Sequence, residues 1–209
     1  LKDCPSLSSL LADRILRFGV PVDLPIADRV FHDTDGSVRR IIKHMEHEIW
    51  YKYPQAVCHV EDTVTFVTSK ELEELWPGKT PKEREDLITK DKRCVFIKQI
   101  GWNLKRSGHP HDGRAPDYDD WNLNGDLLFW LPSLNRAVEI SSMGIRVSPE
   151  SLDRQLTEAG CDDRRNLPFH KMLLNNELPL TMGGGIGQSR ICMLILKKCH
   201  IGEVQASIW

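Results

Sequence analysis

A chain of 209 residues with 40% hydrophobic and 28% charged side chains can bury a sizeable core and shows no disordered or fibrous bias. Its formal net charge of −2 gives no general attraction to nucleic acid or to an anionic membrane, and no apolar run approaches the ~18 residues of a bilayer span. Six cysteines stand apart without a C-x-x-C pair, the pattern of reduced, packed thiols in a cytoplasmic protein rather than of a disulfide frame.

The first residues, Leu1-Lys2-Asp3-Cys4-Pro5, carry neither an apolar signal core nor an initiator Met, so an upstream portion is expected to be absent. Leu7, Leu10, Leu11 and Ile15 suit a short helix face, which Pro21, Pro25 and Gly36 interrupt. From Ser37, the spacing of Val38, Ile41, Ile42, Met45 and Ile49 predicts an amphipathic helix that stops near Tyr53-Pro54. Residues 64–67 read as a short strand. Thr68 and Glu71 then have capping-box spacing and open a helix to Leu75. Thr80-Pro81-Lys82-Glu83 is a stronger start signal, for a helix to about Asp91, and 94–100 is a buried strand.

A long polar connection, 101–121, follows. Such loops inside a compact domain are uncommon and often functional. His109 and His111 lie two apart there, with no third ligand at a recognisable zinc spacing. Asp117, Asp119 and Asp120 suit a solvated turn, but also a place where a cationic substrate group would be met.

Strands over 123–131 and 136–147 flank Pro132-Ser133-Leu134-Asn135, a turn composition. A hairpin centred on the Pro132–Ser133 bond would set Trp130 opposite Asn135 and Asp126 opposite Glu139. Two opposed carboxylates repel unless a cation lies between them, and Mg²⁺ shared with phosphate oxygens is the natural candidate. Two solvent-facing acids on an exposed sheet face would look the same in sequence, and one slip of register would separate them. Ser148-Pro149-Glu150 starts another helix ending at Gly160, and a shorter one spans 168–175. In Thr181-Met182-Gly183-Gly184-Gly185-Ile186-Gly187-Gln188-Ser189-Arg190, alternating glycines strip one face of a strand. That bare face could receive a flat ligand, with Arg190 emerging beside it; a Gly-rich turn before a buried helix is the plainer reading.

Four segments then carry a resemblance. Arg114-Ala115-Pro116-Asp117-Tyr118-Asp119-Asp120-Trp121, Leu123-Asn124-Gly125-Asp126, Glu139 to Arg146 and Gly183 to Arg190 resemble the signatures of ammonia-dependent asparagine synthetase (aspartate–ammonia ligase). His200-Ile201-Gly202 and Val204-Gln205-Ala206 add to the match, which is closest over 112–209 and reaches back to about residue 57. The resemblance implies an α+β fold like the class II aminoacyl-tRNA synthetase catalytic domain, an antiparallel sheet flanked by helices, and a homodimer. It implies Mg-ATP activation of L-aspartate to β-aspartyl-AMP, release of pyrophosphate, and displacement of AMP by ammonia. Gly183, Gly185 and Arg190 would then support adenine and clamp the nucleotide. Asp126 and Glu139 would lie at the metal end, Asp119 at the amino-acid or ammonia end, and Ser142 and Arg146 along the pocket. Catalytic roles fall to Asp119 and Arg190.

This chain departs from the family in two places. Trp121, Asn122 and Leu123 are contiguous where the family carries a loop, and residues 1–56 hold no counterpart of the second-motif Arg. The expectation is one domain over 1–209 from which those parts are missing, either as omitted flexible segments or as in a catalytically incomplete nucleotide- or amino-acid-binding relative. An asparaginyl- or aspartyl-tRNA synthetase-type enzyme is a further alternative, opposed by the near-neutral charge and the lack of an appended anticodon-binding domain.

Overall fold

The computed structural model describes residues 63–204, together with Lys43, His47 and Glu61. The helix expected over 37–53 lies outside the described residues apart from Lys43 and His47, which are helical; the short helix face near residue 10 lies wholly outside them.

Strand β1 (Thr65–Thr68) leads directly into α1 (Ser69–Leu75), and α2 (Pro81–Lys92) leads into β2 (Cys94–Lys98). Both helix starts form the reciprocal bonds their spacing predicts. Thr68 and Thr80 accept from the amides of Glu71 and Glu83, whose carboxylates return to the cap amides. The strand stops two residues short of the expected end because Gln99 adopts φ +61° and turns the chain out of the sheet.

Long strands β3 (Asp119–Leu131) and β4 (Arg136–Arg146) follow, then α3 (Pro149–Glu158), a 3-10 turn (Asp162–Asn166), α4 (Pro168–Leu174), β5 (Met182–Ile186) and α5 (Gln188–Leu196). The five strands lie in chain order. β1 runs parallel to β2, and every other neighbouring pair is antiparallel.

Two apolar layers cover the sheet because side chains alternate along each strand. Cys94, Phe96, Leu127, Phe129 and Ile140 pack with Ile191 and Ile195 of α5. Val95, Ile97, Leu128 and Ala137 pack with Leu72 of α1 and Ile88 of α2. Each fully buried Leu, Ile or Phe in these layers contributes about 1.5–3 kcal/mol. A third cluster, Val147, Leu152, Leu156 and Leu173, joins α3 to α4 at the sheet's end.

The β3–β4 hairpin differs from its expected register. Leu131 pairs with Arg136, so the whole of 132–135 is loop, with Asn135 at φ +51°. Farther along, Leu127 pairs with Ser141 and Leu128 with Glu139, leaving Ile140 as an extra residue in β4. Asp126 therefore faces Ser142, not Glu139. The bulge nevertheless returns Glu139 to the Asp126 face, because Glu139 stands opposite Leu128, two residues on from Asp126.

A second irregularity falls near the start of β3. Asp119 pairs with Arg146 and Asn124 with Gly144, so 120–123 oppose Ile145 alone.

Candidate active site

Strand β4, between β3 and β5, carries the site, and its neighbours supply the rest row by row. Across the sheet, Asp126, Ser142 and Gly185 form one row; Asn124, Gly144 and Gly183 form the next. Over β4, β5 and the first turn of α5 lies a cleft of about 380 Å³, within the usual range for small-ligand sites. Asp119, Glu139, Ser142, Arg146, Gly185 and Arg190 all line it, so six of the eight residues expected from the sequence meet in one cavity. Gly183 and Asp126 lie beside this wall rather than on it.

One end of the cleft is an acid–guanidinium pair. Asp119, buried at the start of β3, takes a hydrogen bond from Arg146 Nη1. Arg146 also lies over the Tyr118 ring, 3.9 Å from its centroid, and donates to the phenol oxygen at 3.1 Å. Two close approaches make room for the pair. A Cβ at Gly144 would stand 2.6 Å from the Asp119 carboxyl carbon, and one at Gly183 would strike the Arg146 guanidinium. Burial pushes the Asp119 carboxyl above its ordinary value, and the Arg146 charge opposes that rise.

The opposite end is Glu139 with Arg190. Gly187 begins α5, and Arg190, half-exposed in its first turn, donates to the Glu139 carbonyl at 2.9 Å and meets its carboxylate at 3.3 Å. The alternating glycines are thus not uniformly bare. Gly183 lies under Arg146 and Gly187 against Arg190, while a Cβ at Gly185 would meet nothing within 4 Å.

Asp126 sits deeper, paired with Arg114 from the polar connection. Burial raises its carboxyl from 3.8 to about 6, against the pull of Arg114 and with some help from the Glu139 charge. Each of the two acids has a guanidinium beside it, Arg114 at Asp126 and Arg190 at Glu139. Since the folded-state value lies above the unfolded one, Asp126 contributes stability below about pH 4 and loses it as pH rises through about 6. Relative to the native chain, Asp126→Asn should therefore gain up to about 3 kcal/mol of stability between pH 4 and pH 7, read by denaturant unfolding at both values.

Sequence reasoning missed Arg114, Tyr118 and a group behind the site. Asp117 accepts from Arg164 at 2.9 Å and lies 3.0 Å from the buried His170 ring nitrogen. The histidines of the long connection go elsewhere, His111 pairing with Glu85 at 3.2 Å. Asn124 exchanges two hydrogen bonds with the Ile100 backbone, at 2.8 and 2.7 Å, and so fixes the corner after β2. The signal for Arg114 and Tyr118 was present, since both lie in the matched Arg114–Trp121 segment.

The model of the aspartate-ammonia ligase family matches residues 28–209. The chain belongs to the aspartate–ammonia ligase family. An aspartate–ammonia ligase of Limosilactobacillus reuteri is 63% identical over 182 residues, 87% of this chain and 54% of that relative. Relatives of the same name from Pediococcus pentosaceus and Lactiplantibacillus plantarum are 63% and 60% identical, over 85% and 87% of this chain and 52% and 57% of their own lengths. The chain thus spans about half the length of these ligases. Among solved structures, the asparaginyl-tRNA synthetase of Entamoeba histolytica in complex with asparaginyl-adenylate superposes with a TM-score of 0.63 at 14% identity, over 90% of this chain and 45% of that one. The aspartyl-tRNA synthetase of the same organism gives 0.58 at 17% identity, over 90% and 41%. At such identity the likeness shows the fold alone, the class II synthetase catalytic fold. Among the described residues, no helix is long and apolar enough to cross a membrane.

Proposed function

We propose that this protein makes L-asparagine from L-aspartate and ammonia at the expense of ATP, through β-aspartyl-AMP, releasing pyrophosphate and then AMP. The observation that carries the reading is that the cleft, with its two guanidinium ends, is built from residues inside the span matched by the family. The asparaginyl-adenylate in the synthetase neighbour is a compound of related chemistry, an amino acid joined to AMP.

On this reading the open floor at Gly185 receives the adenine, and Arg190 meets the α-phosphate as negative charge builds on it. Arg190 must then leave or share Glu139, a surface pair whose loss costs little. Asp119 and Arg146 face the amino acid and ammonia. A carboxyl lifted by burial is a better proton acceptor than an exposed one, so Asp119 is suited to take a proton from ammonium and leave the nucleophilic amine. Ser142, between Glu139 and Arg146 on β4, lines the cleft between the two ends.

Mg²⁺ enters with ATP in this reading, and Asp126 and Glu139 would hold it. The fit rests on Asp126 Oδ1, which is buried without a hydrogen-bond partner and so has lone pairs to offer a hard cation. The ion would neutralise phosphate charge. Cytoplasmic location and a homodimer complete the proposal.

The test is AMP and pyrophosphate release from ATP and aspartate, with ammonium, glutamine or tRNA added separately. Asparagine and AMP formed together, and only with ammonium, support the ligase. Transfer of the amino acid to tRNA, or ATP binding without turnover, rejects it.

A further inference from the structure

Asp119 stands on a segment with few sheet bonds of its own. It pairs with Arg146, and the Tyr118 carbonyl accepts from the Val147 amide at 3.1 Å; four residues beyond it bulge away from β4. What holds this segment comes from behind, from α3. Gln155 is fully buried there and devotes its side-chain amide to the segment's backbone. Its Nε2 donates to the Pro116 carbonyl at 3.0 Å and the Asp119 carbonyl at 3.1 Å, and its Oε1 accepts from the Trp121 amide at 2.8 Å. The contacts fall before Asp119, on it and after it. A buried amide is costly unless satisfied, and here it is satisfied by the backbone of Pro116, Asp119 and Trp121. A second anchor is Asp117, tied to Arg164 and His170.

We propose that Gln155 is a positioning residue for the reaction. By gripping the backbone on both sides of Asp119 it keeps that carboxylate against Arg146, aimed into the cleft at the aspartate and ammonia end; the inference rests on the function proposed above. No other amino acid reproduces the grip. Leu preserves bulk but removes both donors and the acceptor. Glu keeps an acceptor for the Trp121 amide but sets an oxygen against two carbonyl oxygens. Asn is a methylene too short. Gln155 touches no substrate in this scheme, so its loss acts through Asp119 alone and spares the nucleotide end.

The experiment compares Gln155→Leu and Gln155→Glu with the native protein. Both should lower kcat/KM for aspartate and ammonium by about 10²-fold, the cost of an ångström-scale misplacement, while the KM for ATP stays unchanged. Hydrogen exchange at the Trp121 amide should be slow in the native protein and in Gln155→Glu, and faster in Gln155→Leu. Arg164→Ala, at a more exposed side chain, should shift the same parameters less, and it decides the matter if a Gln155 variant fails to fold. Equal losses toward ATP and aspartate, or native kinetics in all variants, would overturn the inference. If the native protein makes no ammonium-dependent AMP, the functional reading fails instead, and Trp121 exchange, which needs no turnover, still shows whether the grip exists.

Discussion

Asp119→Asn is expected to lower ammonium-dependent asparagine formation by about 10²–10⁴-fold while ATP remains bound. The substitution keeps the shape of the side chain and an oxygen for Arg146, but it removes the site that can take a proton. The fold should tolerate it. Arg146 retains its place over the Tyr118 ring and its bond to the phenol. The uncharged amide also escapes the burial that raises the Asp119 carboxyl, which offsets the lost attraction to Arg146. A stability change within about 2 kcal/mol is therefore expected. Calorimetric titration with ATP and chromatographic assay of asparagine separate the two effects, and near-native asparagine formation would remove Asp119 from the chemistry. In the native protein the base form disappears as pH falls through the raised value. The rate should accordingly decline at a higher pH than an exposed aspartate would dictate.

Arg190→Ala should strike the other end, reducing kcat by about 10²–10³-fold through loss of stabilisation at the phosphate. Its cost to folding should be small, because the side chain is half-exposed and its partners are the Glu139 carbonyl and carboxylate at the surface. Unlike Asp119→Asn, this change should impair ATP-dependent pyrophosphate release even without ammonium. Arg190→Lys should recover little, since an ammonium cannot present the planar fork of donors that a phosphate accepts. Pyrophosphate exchange measures this directly, and native exchange rates in Arg190→Ala would exclude the residue as the nucleotide clamp.

The elements that local chemistry dictates were legible from the chain itself. Thr68–Glu71, Thr80–Glu83 and Ser148–Pro149 each name a helix start, and the helices begin there. Asp119, Arg146, Ser142, Glu139, Gly185 and Arg190 were also legible, as parts of the resembling segments, and they meet in one cleft. The hairpin register was not. A Pro-Ser-Leu-Asn turn permits more than one loop length, and nothing in an apolar strand signals that Ile140 will bulge. The two shifts together changed the partner of Asp126 while leaving Glu139 on its face. The pairing of Arg114 with Asp126 was hidden for another reason: the two lie twelve residues apart, along a path set by tertiary contacts rather than periodicity. Gln155 was invisible because a glutamine on a helix reads as a solvated residue until the backbone it serves is known.

The glycines of the site are unequal as points of intervention. At 144 and 183 the space beyond the α-carbon is already taken by the acid and the guanidinium, so a side chain there would wreck the cleft before altering what it accepts. Position 185 opens onto free volume, and alanine or serine there would leave the protein's own packing untouched while thickening the floor. On the proposed reading of Gly185 as the adenine floor, a library aimed at exchanging adenosine for another nucleoside should vary residue 185 first and hold 144 and 183 fixed.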